Sequence, residues 1–158
     1  MMQWPIEAAQ QSGLFDEIVV STDDDEIATL AIELGCKVHY RDKDDGTKGT
    51  QEVARDVLLM WPGADEACVI YPCSPLLSPV DLVASHSRLR LLVSYVVSVR
   101  AAPLQDAGCF YWGPAKAFRY GLPLYEAPTI AHALPPWRCI DINTEADWSR
   151  AEEMFDRL

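Results

Sequence analysis

The side chains able to do chemistry sit in a few short stretches of the chain. Arg41 follows the short strand expected after Gly35, and its guanidinium suits a bidentate contact to a phosphate or a carbonyl. The plainer alternative is a solvated loop charge beside Asp42, Asp44 and Asp45. Thr50 opens a stretch with helical apolar spacing, where a threonine also serves as an N-cap. Tyr71-Pro72-Cys73-Ser74-Pro75 places two prolines at the end of an apolar run. They would pre-shape a pocket there, or simply stiffen a strand-to-helix connection. Asp141 ends another apolar run, a position where an aspartate is ordinarily a turn or cap residue. Asp23, Asp24, Asp25 and Glu26 resemble a metal cluster but fit a helix N-terminus better, where acidic groups meet the positive end of the helix dipole. His39, His86 and His132 have no ligand spacing and read as structural or surface residues.

These residues need elements to hold them. Pro5 to Gln11 reads as the end of a helix stopped by Gly13. Phe15–Ser21 reads as a strand whose Ile18-Val19-Val20 run is suited to burial on both faces. Thr22 and Asp23 would cap a helix reaching Leu34, and Cys36–Tyr40 a short strand. Helices over Thr50–Trp61 and Val80–Leu91 alternate with strands over Ala67–Tyr71 and Val93–Val99. Asp106–Trp112 is strand-like and Ala115–Phe118 a helical turn. A last strand is expected over Arg138–Ile142 after an irregular stretch, and Thr144 with Asp147 forms a capping-box pair that opens the final helix. The Ala151, Met154, Phe155, Leu158 stripe and the tryptophans Trp4, Trp61, Trp112, Trp137 and Trp148 read as packing anchors. Alternating strands and helices imply an α/β domain with a mostly parallel sheet, covered on both faces, with ligands bound beyond the carboxyl ends of its strands.

Composition narrows the partners. A chain of 158 residues suits one domain, 1–158, with one core. A net charge of -11 repels phosphate backbones, so nucleic acid is not an expected partner, although a locally positive pocket can still hold a nucleotide. No apolar run is long enough to span a bilayer and no signal peptide is visible, so no membrane partner is expected. The five cysteines are odd in number and lack a CxxC pair, which argues for reduced thiols and a cytoplasmic location.

Several segments resemble one family. Ile6-Glu7-Ala8-Ala9, Ser12-Gly13-Leu14-Phe15-Asp16 and Ile18–Asp24 are similar to the "SIEAA…SGLFD.IIVSTDD" helix and strand of CMP-sugar synthetases. Tyr71–Leu76 resembles their "Q/Y-P/A-T-S/A-P-L/F" loop, and Asp106–Trp112 the "DAGQFYW" segment of the pseudaminic acid branch. Ile140–Thr144 with Asp147-Trp148 and Ala151-Glu152 is similar to their "DIDTPEDW..AE" stretch. The matches keep their order over nearly the whole chain. Tyr71 and Phe110-Tyr111-Trp112 favour the pseudaminic over the sialic branch of this acylneuraminate cytidylyltransferase family.

The resemblance implies a Rossmann-like three-layer α/β/α nucleotidyltransferase fold. It implies CMP transfer from CTP to a nine-carbon acidic sugar, with pyrophosphate released and Mg2+ as cofactor. It assigns Arg41, Thr50, Tyr71, Pro72, Cys73 and Ser74 to the nucleotide, Asp141 and Asn143 to the metal, and Asp106 and Gly108 to the sugar side. Three departures stand against it. The sequence starts at Met1-Met2-Gln3-Trp4, inside the helix that follows the family's first strand and its "PARGGSKRIPxKN" phosphate loop. Ala101–Gln105 replaces a longer segment that carries sugar contacts and a dimerisation arm, and Asn143 stands where the second metal aspartate is expected. An amide ligates magnesium without adding charge, so affinity should fall. Two readings follow: an active cytidylyltransferase domain, or a degenerate or truncated paralogue that keeps the fold and binds nucleotide weakly or not at all. Without the first strand, its neighbours would close together or leave unpaired edges, and self-association as a homo-oligomer is expected.

Overall fold

The computed structural model describes residues 1–43, 47–89, 95–101, 104–126, 128–140, 142 and 144–156. Helix α1 (Gln3–Ser12) ends at Gly13, which adopts φ 65° as a left-handed cap. Strand β1 (Val19–Thr22) leads to helix α2 (Asp25–Glu33), whose cap is Asp24, one residue beyond the pair expected from sequence. Its carboxylate accepts from the backbone N–H groups of Glu26 and Ile27, both at 2.9 Å. Strand β2 (Lys37–Tyr40), helix α3 (Thr50–Met60), strand β3 (Glu66–Ile70) and helix α4 (Pro79–Leu89) continue the alternation. Strands β4 (Tyr95–Ala101) and β5 (Leu104–Pro114) form a hairpin, followed by helix α5 (Ala115–Arg119), strand β6 (Thr129–Leu134) and helix α6 (Glu145–Phe155). At the start of α6 the Thr144 and Asp147 pair closes as expected, with the Thr144 N–H donating to Asp147 Oδ2 at 2.9 Å.

The strands form two sheets. One pairs β1 with β2 in parallel; the other has the order β3-β5-β4-β6. There β4 and β6 are parallel, and both β3 and β4 run antiparallel to β5, so β5 alone opposes the other strands of its sheet. The α/β architecture with a mostly parallel sheet is therefore present. The last strand is not where the sequence suggested. Pro136–Arg138 forms a 3₁₀ turn, and the stretch expected to be irregular supplies β6 instead, burying His132 and Leu134 while Thr129–Leu134 pairs with Tyr95–Arg100. Pro135 and Pro136 then end the strand, since neither has an N–H to continue a ladder.

Two cores flank the larger sheet. Leu82, Val96, Phe110 and Trp112 pack with Ala8 and Ala9 on one side; Tyr95, Val97, Tyr111 and Phe118 pack with Leu58 on the other. Of the tryptophans, Trp112 is fully buried, whereas Trp4, Trp137 and Trp148 keep more than a third of their surface exposed. Ala151 is buried and Met154 and Phe155 pack partly against it, while Leu158 lies outside the described residues.

Candidate functional site

The ladder between β4 and β5 is interrupted. Val97 pairs with Tyr111 but Val99 pairs with Asp106, so two steps along β4 match five along β5. The extra residues form a bulge that Gly108 closes at φ 60°, a conformation that favours glycine. Ser98, fully buried, accepts the N–H groups of Cys109 and Phe110 at 3.2 and 3.0 Å, satisfying donors that the broken ladder leaves unpaired. The bulge turns Asp106 outward at the rim of the sheet. Its Oδ1 accepts the Gly108 N–H at 3.0 Å, and its Oδ2 accepts the Tyr111 hydroxyl at 2.5 Å and the Tyr125 hydroxyl at 2.6 Å.

A cavity of about 490 Å³ opens at this rim. Gly49–Glu52 at the start of α3 line one wall, Tyr71 lies at the end of β3, and Leu124 and Tyr125 come from the segment after α5. Tyr71 follows the carboxyl end of β3, and Asp106 lies near the start of the opposed strand β5, so the cavity sits where an α/β sheet usually binds ligands. Thr50 Oγ1 and Tyr71 Oη are 2.5 Å apart and share a hydrogen bond across the cavity wall. Thr50 is not the helix cap; that position belongs to Gly49, whose N–H is taken by Glu52 Oε2 at 3.0 Å. Gln51 reaches the Leu122 carbonyl and, at 3.3 Å, the Tyr95 hydroxyl, fastening the Tyr125 segment to α3.

Burial, the hydrogen bonds to Asp106 and its negative charge all hold the Tyr111 hydroxyl in its protonated form far above the usual tyrosine range. The same causes, burial first, push Tyr125 up to about 12. Both hydroxyls are therefore committed donors to Asp106, and each presents a lone pair to the cavity. With Asp106 and Glu52 beside them, the wall offers acceptors and little positive charge.

The geometry thus brings Thr50, Tyr71 and Asp106 around one cavity and ties Gly108 to it through Asp106. Arg41 is not among the cavity's described lining residues. It follows β2, bonds through its N–H to the Thr22 carbonyl at 3.1 Å, and lies 3.6 Å from Asp23 Oδ1. Lys48 pairs with Asp56 at 3.0 Å. Pro72 and Cys73 lead away from Tyr71, and Ser74 is buried, its carbonyl accepting the Leu77 N–H at 3.2 Å. Asp141 and Asn143 lie outside the described residues; their neighbours Ile140 and Ile142 share a small core with Leu76 and Ala151. No group of three or more His, Cys, Asp or Glu side chains placed to hold a metal occurs among the described residues. His39 bonds to Ser21 and His86 to Glu66, and all five cysteines are free thiols.

Comparison with known proteins gives this geometry a family. The cytidylyltransferase family model matches residues 1–108. The chain belongs to the cytidylyltransferase family. Among curated members of the family, a pseudaminic acid cytidylyltransferase of Campylobacter jejuni is 26% identical, aligned over 98% of this chain and 84% of its own length. N-acylneuraminate cytidylyltransferase B of Danio rerio is 27% identical over the whole of this chain, which covers 46% of that larger protein. Among solved structures, CMP:2-keto-3-deoxy-manno-octonic acid synthetase complexed with CTP superposes with a TM-score of 0.75 at 14% identity, covering 99% of this chain and 87% of that one. The 4-diphosphocytidyl-2C-methyl-D-erythritol synthase of Anaerococcus prevotii gives 0.74 at 12% identity. These likenesses establish the nucleotidyltransferase fold. Within this cytidylyltransferase fold, Tyr111 and Tyr125 are the site residues that sequence reading missed. Tyr111 lay inside a segment read as a strand, and Tyr125 in a proline-flanked segment with no periodic signal.

Proposed function

We propose that this chain transfers CMP from CTP to the anomeric hydroxyl of a nine-carbon acidic sugar of the pseudaminic or sialic type. The sugar oxygen forms a bond to the α-phosphorus, the bond from that phosphorus to the bridging oxygen breaks, pyrophosphate leaves, and the hydroxyl proton is lost to solvent. The observation that carries the reading is the grouping of Thr50 with Tyr71 and Asp106, the latter two drawn from separate family-like segments, around one cavity at the sheet rim. The names of the pseudaminic and N-acylneuraminate relatives support the sugar class, and the CTP complex of the octonic acid synthetase supports the nucleotide. Asp106, with Tyr111 and Tyr125, offers acceptors suited to the hydroxyl and amide groups of a sugar. Magnesium is the metal this reading expects; a related fold binds manganese, and Asp141 and Asn143 are the residues to test for ligation. When bound, the metal neutralises triphosphate charge and aligns the attacking oxygen.

A specific observation supports a second reading, in which the domain binds nucleotide without turning it over. The described lining residues of the cavity include no lysine or arginine, and Arg41 and Lys48 are each set against an aspartate. Preorganised positive charge is usually the largest single contribution to phosphoryl-type catalysis. Calorimetric titration with CTP and magnesium, followed by pyrophosphate release in the presence of pseudaminic acid or N-acetylneuraminic acid, separates the two. Heat with turnover supports transfer. Heat without turnover supports the second reading, and no heat with CTP defeats both.

A further inference from the structure

The cavity beside Asp106 has a charge opposite to what a phosphate or a carboxylate needs. Its described lining carries two carboxylates, Glu52 and Asp106, and no lysine, arginine or histidine. Lys48, next to the lining residue Gly49, is held by Asp56 at 3.0 Å. Three tyrosines, Tyr71, Tyr111 and Tyr125, share the same wall. Their rings meet edge to face. The centroids of Tyr71 and Tyr111 are 5.7 Å apart with planes at 84°, and those of Tyr111 and Tyr125 are 6.4 Å apart at 87°. The face of an aromatic ring is the negative end of its quadrupole and attracts a cation.

The hydrogen bonds of the wall favour a donor as well. Tyr111 and Tyr125 both spend their hydroxyl protons on Asp106 Oδ2, so their oxygens remain as acceptors. Asp106 Oδ1 takes the Gly108 N–H, which leaves one of the roughly four acceptor positions of a carboxylate. Thr50 and Tyr71 share a single hydrogen bond, so only one of their two protons is left to give. The space enclosed is about 490 Å³, far more than a bare cation fills and enough for a side chain with water.

We infer that this cavity selects a substrate whose exocyclic side chain ends in a protonated amine, over one with a hydroxyl or an N-acyl amide there. In an acidic keto sugar the carboxylate adjoins the anomeric carbon that receives the phosphate. Both negative groups therefore lie at one end of the molecule, and the cavity takes the other end. An ammonium brings three donors and a positive charge to carboxylates, ring faces and acceptor oxygens. A hydroxyl or an amide brings a single donor and no charge, and the amide carbonyl adds an acceptor to a wall already rich in them. The inference rests on the transfer reading for the class of sugar and adds the charge of the group that the site selects.

The test titrates the intact chain, with CMP and magnesium present so that no transfer occurs, with three sugars. They are N-acetylneuraminic acid, its derivative with an amine in place of the terminal hydroxyl, and that amine N-acetylated. Calorimetry gives the dissociation constants, and NMR follows the ring signals of Tyr111 and Tyr125. The amine is expected to bind about tenfold more tightly than either neutral form and to move both sets of ring signals. Added salt should shrink that advantage. Glu52→Gln, which can still accept the Gly49 N–H, and Asp106→Asn should each cut the preference by about threefold. Equal or weaker binding of the amine, binding of none of the three, unmoved ring signals, or a preference unchanged in both variants would overturn the inference. Pyrophosphate release with CTP, measured separately, reports on the transfer reading. Release from sugars that bind equally keeps transfer and overturns the selection, whereas tighter binding of the amine without release keeps the selection and overturns transfer.

Discussion

The Tyr125 hydroxyl donates to Asp106 Oδ2 at 2.6 Å, fastening the segment after α5 to the bulged strand β5. Burial and the charge of Asp106 push Tyr125 up to about 12, against an ordinary value near 10. Between those values the folded protein keeps a proton that the unfolded chain releases. The resulting stability is fully present below about pH 10 and is lost as pH rises through about 12. Alkaline titration followed by tyrosinate absorbance should show Tyr125 ionising late. Asp106→Asn should bring that ionisation down, and an unchanged titration would refute the role given to the carboxylate.

Gly113 has no room for a methyl group. A Cβ there would stand 2.5 Å from Tyr95 Cδ1 and 3.1 Å from Phe118 Cε2. Tyr95 is held by its hydroxyl, which donates to the Leu122 carbonyl at 3.0 Å, and neither ring has free space. Gly113→Ala should therefore cost about 3 kcal/mol in urea unfolding. Tyr95 also bonds Gln51, so the same variant should loosen the cavity wall at α3.

Arg138 and Asp81 form an ion pair of 2.6 Å whose side chains are 22% and 11% exposed. Arg138→Met would leave the aspartate desolvated and unpaired, at a cost of about 3 kcal/mol. Adding Asp81→Leu should return most of that stability, because the pair as a whole contributes less than the penalty of breaking it. Chemical denaturation of the single and double variants measures both quantities.

His132 is buried on β6, and burial pushes its pKa below the ordinary histidine value, with Arg88 acting in the same direction and Asp81 against it. The unfolded chain therefore takes up a proton at a pH where the folded chain does not. Stability is full above about pH 6.5 and declines as pH falls below it. Melting temperatures measured from about pH 7.5 to about pH 5 should fall for the native chain and stay flatter for His132→Gln.

Local chemistry made some of this legible in sequence. The Thr144–Asp147 pair announces its helix because capping is decided within a few residues, and the Thr22-Asp23 reading finds helix α2 but misses its cap, Asp24, by one residue. Thr50, Tyr71 and Asp106 are named by the family resemblance, and Thr50 and Tyr71 also sit at a helix start and a strand end. Strand β6 was misplaced because Thr129–Leu134 gains its structure from pairing with β4, while Arg138–Ile142 had the apolar residues but follows two prolines. The bulge that aims Asp106 depends on Ser98, eleven residues from Cys109, and nothing near either residue marks it. Tyr125 meets Asp106 nineteen residues away, a contact that only the folded sheet creates.

The bridging position of α1 bears on how the molecule comes apart. Its alanines hold one sheet and Ile6 holds the other, so a single ten-residue helix acts as the shared hinge pin of two units. Widening that pin, as a bulkier side chain at Ala8 or Ala9 would, uncouples β1, α2 and β2 from the larger sheet. Melting would then proceed in two stages, the smaller unit first.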